Sequence, residues 1–135
     1  MSAPPHAANK AHDRLVYRPE VGVMGNVWFS QACSLGEEQS LDEAYSLTYT
    51  SEPLDEDLEI LGFPRVELHA ASTAANTAFV VKLTEVSPEG QSNLITYGVL
   101  NAAHRNSHEE PEALEPDTIY KLEVELFEEG IKRIF

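Results

Sequence analysis

Cysteine is almost absent from this 135-residue chain: Cys33 stands alone, so neither an internal disulfide nor a thiolate metal cluster can form. Long apolar runs are missing too. No stretch approaches the roughly 18 apolar residues of a membrane-crossing helix. The opening Met-Ser-Ala-Pro-Pro-His-Ala-Ala-Asn-Lys lacks the apolar middle of a secretory signal, and the chain reads as cytoplasmic. Basic residues are few, 9 Lys and Arg against 23 Asp and Glu, for a formal net charge of −14. That field repels phosphate backbones and anionic lipid, which sets nucleic acid and membranes aside as partners.

Catalytic signatures are lacking as well. There is no Gly-x-Ser-x-Gly elbow, no Gly-rich phosphate loop and no His-Glu-x-x-His pair, which removes the usual sequence marks of serine hydrolysis, nucleotide binding and zinc peptidase chemistry. No cofactor is expected. The length suits one domain with one core, leaving no room for a separate catalytic domain.

What is present reads as strands. Residues 1–14 have no apolar periodicity and are expected to form a loose tail. Residues 15–44, apolar but broken by Gly22 and Gly25, read as an extended arm or interdomain segment, with 34–44 taken as loop. A β-sandwich is expected over 45–135. Tyr45, Leu47 and Tyr49 alternate with Ser46, Thr48 and Thr50, the period of a half-buried strand. Strands are also expected at 58–60, 65–70, 79–86, 93–100 and 118–126.

Ser87-Pro-Glu-Gly90 is the strongest turn signal and should join two of these strands as a hairpin. Gly98 marks a bulge or a close backbone approach. The polar link 101–117 is long for a simple connection and should cross between sheets or cover an end. Regularly spaced strands without a long helix argue for an all-β, antiparallel β-sandwich.

Few residues invite a chemical role. Asp55, Glu56 and Asp57, with Glu52 and Glu59, offer oxygens of the kind calcium takes, yet the ligand spacing and positioned glycine of a calcium loop are missing, so a solvated acidic turn is expected. His104 and Arg105, with His108 nearby, form a candidate polar or docking site. Trp28 and Phe29 are large aromatics in a Gly-rich arm and suit either an interface or core packing. Cys33 has no cationic neighbour in sequence to activate it. The candidate interface residues are therefore Trp28, Phe29, His104 and Arg105, with no catalytic or metal-binding residue.

Five stretches, Ser46 to Leu54, Ile60 to Leu68, Phe79 to Gly90, Gly98 to Arg105 and Pro111 to Pro116, together resemble the C-terminal, non-catalytic domain of the X-Pro dipeptidyl-peptidase and cocaine-esterase group of serine hydrolases. The resemblance implies a jelly-roll, galactose-binding-like sandwich that packs beside an α/β-hydrolase domain bearing the catalytic triad. No triad residue can be carried over, because the matching region lies after that domain. Glu85 and Glu89 stand where the family usually has Asp, and Asp117 where it usually has Gly. Residues 127–135 are a shortened echo of a family strand, so the sandwich reads as C-terminally truncated, with an open edge that favours a homo-oligomer. The implied function is that of an accessory domain: docking, shaping a substrate entrance, or oligomerisation. Two alternatives are a carbohydrate-binding module presenting Trp28 and Tyr97, and a subunit of a split serine hydrolase.

Overall fold

The computed structural model describes residues 12–22, 38–127 and 129–134, the last of these for their backbone. Its elements are a one-turn helix α1 (Ser40–Glu43) and six strands: β1 (Leu58–Gly62), β2 (Arg65–Ala70), β3 (Ala78–Val86), β4 (Ser92–Asn101), β5 (Tyr120–Glu125) and β6 (Glu129–Ile134). They pair as β1 with β6, β2 with β5 and β3 with β4, always antiparallel. The expectation of an all-β, antiparallel domain holds. No helix among the described residues is long and apolar enough to cross a membrane.

The β2–β5 ladder follows from strict alternation. Val66 faces Val124, Leu68 faces Leu122 and Ala70 faces Tyr120, so one side of the ladder is apolar throughout. Leu122, Val124 and Leu126 are almost fully buried, each worth about 1.5–3 kcal/mol of apolar transfer. The opposite side is charged. There Arg65 pairs with Glu123 at 3.2 Å and Glu125 at 3.7 Å, and Lys121 with Glu67 at 2.9 Å. These exposed pairs add little stability individually, but they keep that face in water.

β3 and β4 form the expected hairpin. At its tip the Gly90 N–H donates to the Ser87 carbonyl at 2.9 Å, and Gly90 takes φ 84, where a side chain would be strained. The register slips by one residue between Leu83 and Thr84, which face Thr96 and Leu94. The extra residue is Ile95, which is buried together with its neighbour Thr96, an outcome that simple alternation forbids and a bulge allows. Gly98 is the close approach: a Cβ there would overlap the Glu125 carbonyl oxygen and crowd Leu126. The same junction is tied by the Phe127 N–H donating to the Tyr97 carbonyl at 2.9 Å and the Thr96 hydroxyl donating to the Phe127 carbonyl at 2.8 Å.

The link 102–117 covers one end of the core. Ala102 and Leu114 are buried with Leu122, and Leu68, Ala70, Phe79, Leu100 and Tyr120 pack around them. The link is held to the segment 72–77 by backbone N–H groups of Ala102, Leu114 and Asp117, which donate to the carbonyls of Thr77, Ala75 and Ser72. Asp117 sits at φ 61. This left-handed position is natural for Gly and tolerable for Asp.

Two expectations are corrected. Residues 45–50 form no strand: they run irregularly, and Tyr45, Leu47 and Tyr49 are exposed. Their alternation lacks a ladder partner and a core to face, and without these a period of two stabilises nothing. The stretch taken as loop contains α1, closed by the Glu43 and Ala44 N–H groups donating to the carbonyls of Gln39 and Ser40.

Candidate functional site

The two ends of the sequence-derived interface fare differently. Trp28 and Phe29, like Cys33, lie outside the described residues. His104 and Arg105 close the loop over the core, where Ala102–His104 forms a 3-10 turn capped by the Asn101 side chain. Arg105 points inward. Its side chain is only 10% exposed. Its guanidinium donates to the carbonyls of Ala102 at 3.1 Å and Glu112 at 2.6 Å, approaches the Glu112 carboxylate at 3.3 Å, and lies 4.5 Å from the centre of the Tyr120 ring. Such a planar fork binds several acceptors at once while stacking on an aromatic face.

His104 stacks on His108 with ring centroids 5.9 Å apart. Its buried Nδ1 has no hydrogen-bond partner among the described residues. Among the described residues no carboxylate is hydrogen-bonded to that Nδ1, the contact that orients a general base. Four of the described serine hydroxyls point elsewhere: Ser92 donates to the Glu43 carboxylate at 2.5 Å, Ser46 to the Asp42 carbonyl at 2.9 Å and Ser51 to the Glu52 carbonyl at 2.9 Å, while Ser72 pairs with Thr77 at 2.6 Å.

Asp55, Glu56 and Asp57 are exposed. Among the described residues no three His, Cys, Asp or Glu side chains converge as metal ligands would. Tyr97 is half-buried with its ring edge against Phe127, the centroids 4.9 Å apart. It is not a free stacking platform.

A polar clamp holds α1 on the β3–β4 hairpin. The buried Gln39 side chain accepts from the Lys82 ammonium at 2.6 Å, and the same ammonium lies 3.8 Å from the Asp42 carboxylate. Asp42 also accepts from the Gly22 N–H at 2.8 Å. The Glu43 carboxylate receives the hydroxyls of Ser92 and Thr84. Glu38, whose carboxyl receives the hydroxyl and N–H of Ser40 and then the N–H of Ser92, titrates below the ordinary carboxylate range.

From that clamp the arm runs antiparallel to the stretch that follows α1, with no ladder. Gly22 meets Asp42, the Arg18 guanidinium lies 4.8 Å from the Tyr45 ring centre, and the Tyr49 hydroxyl donates to the Asp13 carboxylate at 2.9 Å. As one number falls the other rises by nearly as much, the signature of two antiparallel extended segments. The Asp13 contact, foremost its hydrogen bond, raises the Tyr49 hydroxyl above the ordinary tyrosine range. Sequence reasoning did not find this pairing, since its signal is three unlike contacts and not a repeat. The opposed apolar tracts, Leu15 to Tyr17 and Tyr45 to Tyr49, were its only visible trace.

The family described as the X-Pro dipeptidyl-peptidase C-terminal non-catalytic domain matches residues 2–131. A protein of Mycobacterium bovis that carries the name of a serine esterase is 36% identical over 99 residues, 73% of this chain and 15% of that protein. Cocaine esterase of a Rhodococcus species is 28% identical over 80 residues, 59% of this chain and 14% of the enzyme. The match thus spans under a sixth of either relative.

Proposed function

The chain belongs to the family of X-Pro dipeptidyl-peptidase C-terminal non-catalytic domains, and from that premise we propose that it is the accessory β-domain of a serine hydrolase, docking beside the catalytic domain and bordering the approach to its site. The observation that carries this reading is the extent of the match, residues 2–131, to a domain described as non-catalytic. The hydrolase it serves acts on esters or on Xaa-Pro peptides, in keeping with the names of the relatives and the family. The absence of a nucleophile elbow from the sequence supports the same division of labour.

Two measurements test it. Purified chain is expected to leave p-nitrophenyl esters and Xaa-Pro anilides intact and to resist a serine-directed phosphonate probe. Placed in the Mycobacterium bovis relative instead of that protein's own matching segment, it should raise the thermal midpoint of the hydrolase portion. Turnover by the isolated chain, with one serine labelled, would overturn the proposal.

A further inference from the structure

The apolar surface of this protein is unevenly distributed. Half of the exposed large apolar side chains among the described residues lie on the paired arm, 12–22 against 41–54, where Tyr17 and Tyr49 are 84% and 77% exposed and Leu15, Val16, Leu47 and Leu54 are also open. The outer face of the β2–β5 ladder, by contrast, presents Arg65, Glu67, His69, Lys121, Glu123 and Glu125. Apolar side chains concentrated on one exposed feature mark a surface built to be covered. The arm is also held in shape, by Gly22 to Asp42, Arg18 to Tyr45 and Asp13 to Tyr49, so its apolar groups are displayed on a fixed frame.

The occupant follows from charge and position. A second copy of this chain would carry another −14, which opposes close approach of two acidic bodies. The arm shares that charge: residues 12–22 and 41–54 hold Asp13, Glu20, Asp42, Glu43 and Glu52 against Arg14 and Arg18. The matched family is C-terminal in its parent proteins, and over four fifths of each relative lies outside the match. The arm is the described part nearest the N-terminal end, toward the rest of such a parent.

Resting on the accessory-domain reading above, we propose that the arm formed by residues 12–22 and 41–54 is the surface on which the hydrolase domain seats, with Tyr17, Leu47 and Tyr49 as its apolar anchors. The charged outer face of β2–β5 stays in water.

Hydrogen exchange tests this in the chimera already described, where the chain replaces the matching segment of the Mycobacterium bovis relative. Compared with the isolated chain, amides of 14–20 and 44–50 should exchange at least tenfold more slowly in the chimera, while those of β5 keep their rates. The double variant Tyr17→Glu and Tyr49→Glu should abolish that slowing. Its native fold is checked by unchanged exchange across β2–β5, and a milder pair, Tyr17→Ser and Tyr49→Ser, should act in the same direction. If protection appears elsewhere on the chain while the arm is unaffected, the arm assignment fails and docking survives. If no part of the chain is slowed, docking itself fails, and the arm assignment with it. If the isolated chain is a dimer whose arm is already protected, the occupant is a second copy and the assignment is wrong.

Discussion

The Arg105 guanidinium lies 4.5 Å from the centre of the Tyr120 ring while the Tyr120 hydroxyl accepts the Glu115 N–H at 3.0 Å, so one aromatic side chain of β5 grips the covering loop at two points. Removing the cation in Arg105→Ala leaves the Glu112 carbonyl without its donor and the Ala102 carbonyl with only the N–H of residue 105, and should cost about 2 kcal/mol. Arg105→Lys should recover less than half, because an ammonium cannot bridge both carbonyls and stack at once. Urea unfolding of both variants gives the comparison.

Gly98 has no room for a methyl group, as the backbone oxygen of Glu125 occupies the place. Gly98→Ala should therefore destabilise by about 1–3 kcal/mol, as overpacking does. Gly90→Ala meets open space and pays only for its positive φ, about 1 kcal/mol. A denaturation series that ranked the two in reverse would show that β4 and β5 are not in contact at that point.

Asp117→Gly should stabilise the protein by about 0.5–1 kcal/mol, since φ 61 costs a side chain more than it costs glycine. The Ser72 carbonyl still receives the N–H of residue 117. A rise in thermal midpoint checks it, and a fall would mean that the Asp117 carboxylate has a role of its own.

The arm and the clamp that holds α1 should respond to pH at opposite ends of the scale. Tyr49 titrates above its unfolded value, so its bond to Asp13 is fully present below about pH 10 and disappears as pH rises through the raised folded value. Glu38 titrates low, so its contribution is present above the unfolded carboxylate value, about 4.3, and is lost as pH falls through the depressed folded value. Ultraviolet absorbance should follow tyrosinate formation, and Tyr49→Phe should remove a component that titrates above the ordinary tyrosine range.

The strands were legible wherever two faces differ in kind. In β2 and β5 every second residue is apolar and the others are mostly charged, so the alternation could be read without knowing the partner. Gly98 was legible for a related reason: a glycine inside a strand calls for a neighbouring backbone. The stretch 45–50 misled because Ser and Thr interleaved with Tyr and Leu imitate that rhythm, although nothing covers the apolar side. Arg105 was read as a docking cation because charge suggests a surface. Its inward turn depends on carbonyls at Ala102 and Glu112 and on a ring at Tyr120, which no local pattern announces. The clamp of Gln39, Asp42 and Lys82 joins residues 40 positions apart and likewise leaves no periodic trace.

The additional residue at Ile95 sets the phase of everything between it and the hairpin tip. Because β4 gains one residue on β3 there, Leu94 and Ser92 fall on the side of the hairpin shared with Lys82 and Thr84, where Ser92 can reach Glu43. Without the extra residue that hydroxyl would turn to the opposite side, leaving Lys82 and Thr84 of β3 as the side chains that hold α1. The attachment of α1 to β4 is thus indexed to a single extra step in one strand.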